Sequence, residues 1–272
     1  MLQLAPMRVF ATSDLHVDFR ENWMLLKSIS DESHQNDVLI VAGDIAHRLD
    51  QITATLSLLK SKFSEVFYLP GNHELWVRGE SGDSIQKLNV ILESCDQLGV
   101  HTAPMRVGPL WIVPLFSWYD ETLDDDLVAD PEDLEVWADF RFCRWPSQSG
   151  PVVDYMLGLN SDRIRDYDAP VISFSHFLPR RELMPPTDFL LFKGLPRVAG
   201  SILLDRQIRA LSPLVHVFGH THINCDKTID GIRYVQNAVL YPRERDALTR
   251  MRRVFWKGGG PLFEITRPND GM

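Results

Sequence analysis

The stretch "VFGHTHIN", residues 217–224, sets His220 and His222 two positions apart behind an apolar run and Gly219. In a strand such positions share a face, so two imidazoles could offer lone pairs to one point. An isolated H-x-H more often contains one satisfied and one solvated histidine, so the reading depends on the rest of the chain. Comparable groups recur: "SDLHVD" carries Asp14 and His16, "GDIAH" carries Asp44, "GNHE" carries Asn72, His73 and Glu74, and "SHF" carries His176. From these groups, two aspartates, an asparagine and four of the five histidines, without a thiolate, suit divalent first-row metals better than calcium or a purely structural zinc site. Seven donors exceed what one ion with open positions needs. With one bridging aspartate they supply four protein ligands to each of two ions, as in hydrolytic sites whose metals lie roughly 3.5–4 Å apart.

Each of these groups follows a short apolar run rich in β-branched residues: "RVFAT", "DVLIVAG", "EVFYLPG", "PVISFSH" and "VHVFGH", with "LWIVPLF" as a further member of the set. Such runs read as strands buried on both faces. Helical spacing marks "ENWMLLKSI", "QITATLSLLKSKF", residues 84–99 from a Ser84 cap to a terminating Gly99, and residues 201–211. The alternation implies right-handed crossovers and largely parallel strands, whose carboxyl ends line one edge where open α/β folds place ligands. Asp14, Asp44 and Asn72 are spaced by 30 and 28 residues, about one βαβ unit. Taken singly, Asp14 and Asp44 could cap helices and His176 could be a core histidine; that every group should do so at one sheet edge is a far stronger demand. Beyond residue 224, "CDKTIDGIRYVQNAV" reads as a hairpin turning at Asp230-Gly231 and "RRVFWKGGGPLFEITR" as another, a pattern expected to add antiparallel strands and a second sheet packed on the first.

The chain has 272 residues, 44% hydrophobic and 24% charged, enough for a large core, and no repeat or linker divides it; residues 1–272 read as a single domain. Cys95, Cys143 and Cys225 are distant and odd in number, which points to a reducing, cytoplasmic setting. The first residues lack the pattern of a signal peptide and no apolar run is long enough to span a membrane. A net charge of −9 argues against a nucleic-acid partner and favours a small substrate. Residues 116–150 form an acidic, aromatic-rich block read as a cap insertion, with a helix starting at Asp130-Pro131. From it Trp118, Tyr119, Arg141, Arg144 and Trp145 could meet an organic group, and Arg180, Arg181 and Arg243 are further anion-binding candidates, each against the alternative of a surface ion pair.

The ordered set D-x-H, GD, GNHE, a lone histidine after a strand and GHTH resembles the calcineurin-like metallophosphoesterase superfamily over residues 14–222. The resemblance implies a four-layer α/β/β/α sandwich of two mixed sheets flanked by helices, with the metal site at the strand carboxyl ends. It implies that Asp14, His16 and His222 hold one ion, that Asn72, His176 and His220 hold the other, that Asp44 bridges them, and that His73 is a catalytic group beside the phosphoryl. Two divalent or mixed-valence transition-metal ions, Mn, Fe or Zn, are the implied cofactors, a small phosphorylated compound, mono- or diester, is the implied substrate, and a hydroxide between the ions is the implied nucleophile for in-line attack. His73 would serve as proton donor if a carboxylate held it charged, with Asp14, Asp18 and Glu74 as alternatives. Where many members have a second histidine this chain has Phe177, and "GDIAHRL" departs from the protein serine/threonine phosphatase branch. A nuclease and a non-catalytic protein-binding scaffold of the same fold are the competing readings. His34, His101 and His216 are expected outside the site; His47 is ambiguous.

Overall fold

The computed structural model describes residues 7–124, 134, 136–147, 150–251 and 260–266. Strands β1 (Val9–Thr12), β2 (Val38–Val41) and β3 (Glu65–Tyr68) run parallel, separated by helices α1 (Arg20–Lys27) and α2 (Leu49–Lys62). All four residues of both β1 and β2 are buried, as expected for strands covered on both faces. Their side chains alternate between two cores. Phe10, Leu39, Val41, Val66 and Tyr68 pack with Leu26, Ile52, Leu56 and Ile91 from α1, α2 and α3 (Ser84–Leu98), while Val9, Ala11, Val38, Ile40 and Phe67 join the core of the other sheet.

That other sheet has the order β4 (Met105–Val107), β5 (Leu110–Pro114), β6 (Val171–Phe174), β7 (Val215–Phe218), β9 (Ile232–Gln236), β8 (Cys225–Ile229). Strands β5, β6, β7 and β9 are parallel; β4 and β8 close its edges antiparallel. Helices α5 (Val152–Gly158) and α7 (Ile202–Leu211) bury Val153, Met156, Leu204 and Ile208 in the same core. The architecture is therefore two mixed sheets with helices outside, as the resemblance implies. Short helices α4 (Ala138–Phe142) and α6 (Leu195–Ala199) and the late α8 (Pro242–Met251) complete the described elements. Among the described residues no helix is long and apolar enough to cross a membrane.

Three sequence expectations change. The late strands do not build a second sheet: the hairpin at Asp230-Gly231 extends the β5–β7 sheet, while β10 (Phe263–Glu264) pairs antiparallel with β1. The parallel strands themselves are split between the two sheets, and much of the proposed hairpin over residues 252–267 lies outside the described residues, as do Asp130 and Pro131. Helix α3 is capped by Asp83 rather than Ser84. Asp83 is extended (φ −124°, ψ 172°), accepts the Gln86 N–H at 2.9 Å, and receives the Gln86 side chain on its own N–H. The Ser84 hydroxyl is used elsewhere, donating to Leu75 O and accepting from Arg144 N.

The two sheets meet at their carboxyl ends. Directly after β1, Ser13 N–H donates to Asn237 O (3.0 Å) and Val239 N–H donates to Ser13 O (2.9 Å), a parallel bridge to the residues after β9. Because the cap of α3 lies on the outer layer, Asp83→Ala should lower unfolding free energy by about 0.5–2 kcal/mol in urea denaturation while leaving metal stoichiometry unchanged.

Candidate metal centre

Every proposed site residue sits two to five positions past a strand end, at the side where the sheets are joined. Asp14 N–H donates to Gly43 O, His16 N–H to Asp44 O and Val17 N–H to Ile45 O, so the loops after β1 and β2 continue to pair beyond the sheet. Asp14, His16, Asp44, His220 and His222 all have left-handed backbone, with φ of 51°, 42°, 57°, 73° and 57°. For residues with a Cβ this conformation costs of order 1–2 kcal/mol each. It turns the side chains off the strand direction and towards one another.

The loops approach too closely to admit side chains at two glycines. A Cβ on Gly71 would fall on the Asp44 carboxylate and 2.6 Å from His176 Nε2; one on Gly43, whose φ is +85°, would lie 2.5 Å from His176 Nδ1. Glu74 clamps the same loops. Fully buried, it accepts the backbone N–H of Gly71 (2.8 Å), Asp44 (3.1 Å) and Ile45 (2.5 Å), tying the turn after β3 to the turn after β2.

The hydrogen bonds made by the outer edges of the histidines fix which nitrogens face inward. His176 Nδ1 lies 2.8 Å from Ala42 O and His220 Nε2 lies 2.9 Å from Val198 O; a carbonyl only accepts, so these nitrogens carry the protons. The second ring nitrogens, His176 Nε2 and His220 Nδ1, then each face Asn72 Oδ1 at 3.1 Å, and His176 Nε2 also faces Asp44 Oδ1 at 3.4 Å. On the other side His222 Nδ1 donates to Glu244 at 2.7 Å, which turns its Nε2 to His16 Nε2 (2.9 Å) and Asp14 Oδ1 (3.5 Å). His16 Nδ1 is buried with no hydrogen-bond partner. Ligand atoms of Asp14, His16 and His222 lie within 4.8 Å of one another, as do those of Asp44, His176 and His220, and those of His16, Asp44 and His73.

Electrostatics ask for a cation at the same place. Burial, together with Glu74 and Asp14, holds the Asp44 carboxyl well above its ordinary value. Burial pushes His220 down to about 3 and, with the neighbouring imidazoles, lowers His16 and His73 far below the usual histidine range, so these rings are neutral donors. Burial would also lower His222, but its hydrogen bonds to Asp14 and Glu244 outweigh that and lift it to about 10; the two carboxylates favour positive charge between them. Facing acceptors, neutral imidazoles and buried carboxylates fit divalent metal, with Asp44 common to two of the three groups.

His73 N–H donates to Asp44 Oδ1 (3.1 Å), its ring lies on Trp76 with centroids 3.8 Å apart, and its Nε2 is 3.5 Å from the Tyr241 hydroxyl. Of the three carboxylates considered beside it, Asp18 pairs with His47, Glu74 is taken by backbone N–H groups, and Asp14 is engaged by Ser13 and His220 N–H; the carboxylate nearest the ring is Asp44, at 3.7 Å. His216 is buried between the Ser173 and Ser175 hydroxyls, and His34 and His101 pair with Asp37 and Glu65, away from the cluster.

Several residues at the site carry no sequence signature. Asp139 accepts from Asn72, Trp76 and Trp137; Glu244 backs His222; the Tyr241 ring packs 4.3 Å from that of His16. The substrate contacts expected from residues 116–150 are placed differently. Trp118 and Tyr119 are buried against Phe177, which itself packs 4.6 Å from His220, and Arg144 is bound to Val77 O and Glu80 O. Trp145 packs edge-on to Trp118, and Arg141 lies over Phe142. Arg180 pairs with Glu182 and Asp230, and Arg181 donates to Pro185 O and Thr187, while Arg243 is exposed at the start of α8.

Comparison with known proteins gives consistent matches. Residues 7–224 match the model of the calcineurin-like phosphoesterases. The chain is 30% identical over 259 residues to [Acyl-carrier-protein] phosphodiesterase PptH of Mycobacterium tuberculosis strain H37Rv, covering 87% of this chain and 78% of that protein. The crystal structure of phosphopantetheinyl hydrolase (PptH) from Mycobacterium tuberculosis superposes with a TM-score of 0.77 at 28% identity, covering 98% of this chain and 99% of that one.

Two measurements test this geometry. Gly71→Ala should remain folded by circular dichroism yet lose bound metal by elemental analysis, because the methyl group occupies space between Asp44 and His176. Chelation of the wild-type protein should lower its melting temperature, and refilling with metal at 100 times Kd should restore about 2.7 kcal/mol per site. Unchanged melting on chelation would count against a metal centre.

Proposed function

The chain belongs to the calcineurin-like phosphoesterase family, a metal-dependent phosphoester hydrolase by that membership, and from this premise we propose that it cleaves the phosphodiester joining a phosphopantetheinyl group to a carrier protein. The observation that carries the chemistry is the set of inward-facing acceptors on His176, His220, Asn72 and Asp44, spaced at 3.1–3.4 Å, an arrangement that a cation satisfies and that hydrogen bonds do not. The substrate rests on the Mycobacterium tuberculosis relative, whose names describe an acyl-carrier-protein phosphodiesterase and a phosphopantetheinyl hydrolase. The free small compound favoured by composition then becomes the small phosphorylated end of a protein-borne group.

In this reading Asp14, His16 and His222 hold one ion, Asn72, His176 and His220 the other, and Asp44 serves both; Mn, Fe or Zn fits this oxygen and nitrogen set. Bound there, such ions would supply Lewis-acid chemistry for hydrolysis near neutral pH. The chain's own residues do the positioning. Glu74 holds the two loops that carry Asp44 and Asn72 in register, and Glu244 fixes the His222 ring. His73, outside either set of three, stands on the same turn as Asn72, steadied by Trp76 and beside the Tyr241 hydroxyl, and as a neutral ring would stabilise the charge developing on the leaving oxygen through a hydrogen bond. Residues 1–272 act as one domain, with 116–150 as rim: its Trp137 lies 5.9 Å from His220 and its Asp139 bonds Asn72. The three free cysteines fit a cytoplasmic location.

The test is incubation of metal-loaded protein with a phosphopantetheinylated carrier protein, followed by intact-mass analysis. The expected product is unmodified carrier plus phosphopantetheine, with bis-p-nitrophenyl phosphate hydrolysed faster than p-nitrophenyl phosphate. Asp44→Asn should abolish turnover and His73→Asn should reduce it about 10²–10⁴-fold with both metals retained. Monoester hydrolysis with an untouched carrier would overturn the substrate assignment and leave the hydrolase.

A further inference from the structure

Asp139 belongs to none of the strand-end motifs, yet it is 3% exposed and reaches the site from α4, within the residue 116–150 block. Its Oδ1 accepts Asn72 Nδ2 at 2.9 Å and Trp76 Nε1 at 2.6 Å; its Oδ2 accepts Trp137 Nε1 at 2.9 Å. No ion pair with Lys or Arg holds this carboxylate among the described residues; its partners are these three N–H donors and the Tyr119 hydroxyl, all of which donate to it. A buried carboxylate held this way is costly to keep unless its geometry does something an apolar residue could not.

What it controls is the direction of an amide. Asn72 has one oxygen and one nitrogen of nearly equal size, and either could face His176 and His220. A carboxylate accepts and never donates, so Asp139 binds Nδ2 and thereby aims Oδ1 at His176 Nε2 and His220 Nδ1, both at 3.1 Å. With the amide reversed, two N–H groups would face the metal position and the oxygen would face Asp139, four electron pairs against each other.

We propose that Asp139 is a positioning residue for the second ion: it locks the Asn72 amide in its metal-ligating orientation and, through Trp76 and Trp137, makes that orientation depend on the packing of the 116–150 block. The inference rests on the reading above that Asn72, His176 and His220 hold an ion. Asp139 touches neither substrate nor metal in this scheme and acts through Asn72. Because the indole of Trp76 is stacked on His73, the same carboxylate also fixes the surface against which His73 rests.

The experiment is manganese titration of full-length wild type, Asp139→Leu, Asp139→Asn, Asn72→Ala and the Asn72→Ala/Asp139→Leu double variant. Binding is read by competition with a chelating dye and by electron paramagnetic resonance, which separates a coupled ion pair from single ions. Wild type should bind two ions with a coupled signal. In Asp139→Leu one of the two ions should lose affinity about 10–100-fold and leave a single-ion spectrum, while the other changes less than about threefold. Asp139→Asn, whose amide oxygen can still accept from Asn72 while its nitrogen opposes the Trp137 N–H, should fall between. In the Asn72→Ala background Asp139→Leu should have no further effect, since the residue acts through Asn72. The inference is overturned if Asp139→Leu lowers thermal stability with both affinities unchanged, if both ions weaken equally, or if the effects of the two substitutions add. A wild type that fails to bind two ions would instead overturn the underlying metal assignment.

Discussion

Acceptor faces acceptor at the centre of this protein, and most of the surrounding structure exists to hold that arrangement. Lone pairs on His176, His220 and Asn72 meet at 3.1 Å, and His176 meets Asp44 at 3.4 Å, with buried Glu74 and Asp14 adding to the unfavourable charge around Asp44. In low-dielectric surroundings such contacts repel unless positive charge lies between them. The geometry is therefore a charge-separation problem solved in advance by the fold, and each outward-facing hydrogen bond, from His176 to Ala42 O or from His220 to Val198 O, contributes by removing one alternative orientation.

Holding the donors there strains the backbone. Five residues with side chains adopt the left-handed region, each at about 1–2 kcal/mol. Glycine at these positions would be easier for the chain but would delete the donor. The strain is offset locally: loop-to-loop bonds join Asp14 to Gly43 and His16 to Asp44, and the Glu74 carboxylate binds three N–H groups that would otherwise be left without partners in the interior. A set of strained turns thus becomes one stiff unit because their polar groups satisfy one another.

Much of this was legible in the sequence, for a physical reason. Strand-end motifs are short and local, and parallel strands convert recurring local patterns into a common edge, so Asp14, Asp44, Asn72, His176 and the GHTH pair could be grouped before any coordinates. Periodicity also marked the main helices and the Asp230-Gly231 hairpin. It could not show that the parallel strands divide between two sheets, because a strand buried on both faces reads the same in either. Nor could it show Asp139, Glu244 or Tyr241: each reaches its partner across a loop or a helix start, and an aspartate in an acidic block looks like any solvated charge. Trp118 and Tyr119, candidates for contact with an organic group, pack instead against Phe177, since composition records how greasy a segment is and not which way it turns.

The bridge between Ser13 and Ala238 lies one residue before Asp14 and joins a strand of one sheet to the chain leaving the other. Sheet one carries Asp14, His16, Asp44, Asn72 and His73; sheet two carries His176, His220 and His222. No metal triad in the scheme above is complete on either sheet. The seam consequently ties assembly of the proposed centre to the docking of one sheet on the other: each of its two sets of three draws on both, so neither half of the chain carries the whole arrangement alone.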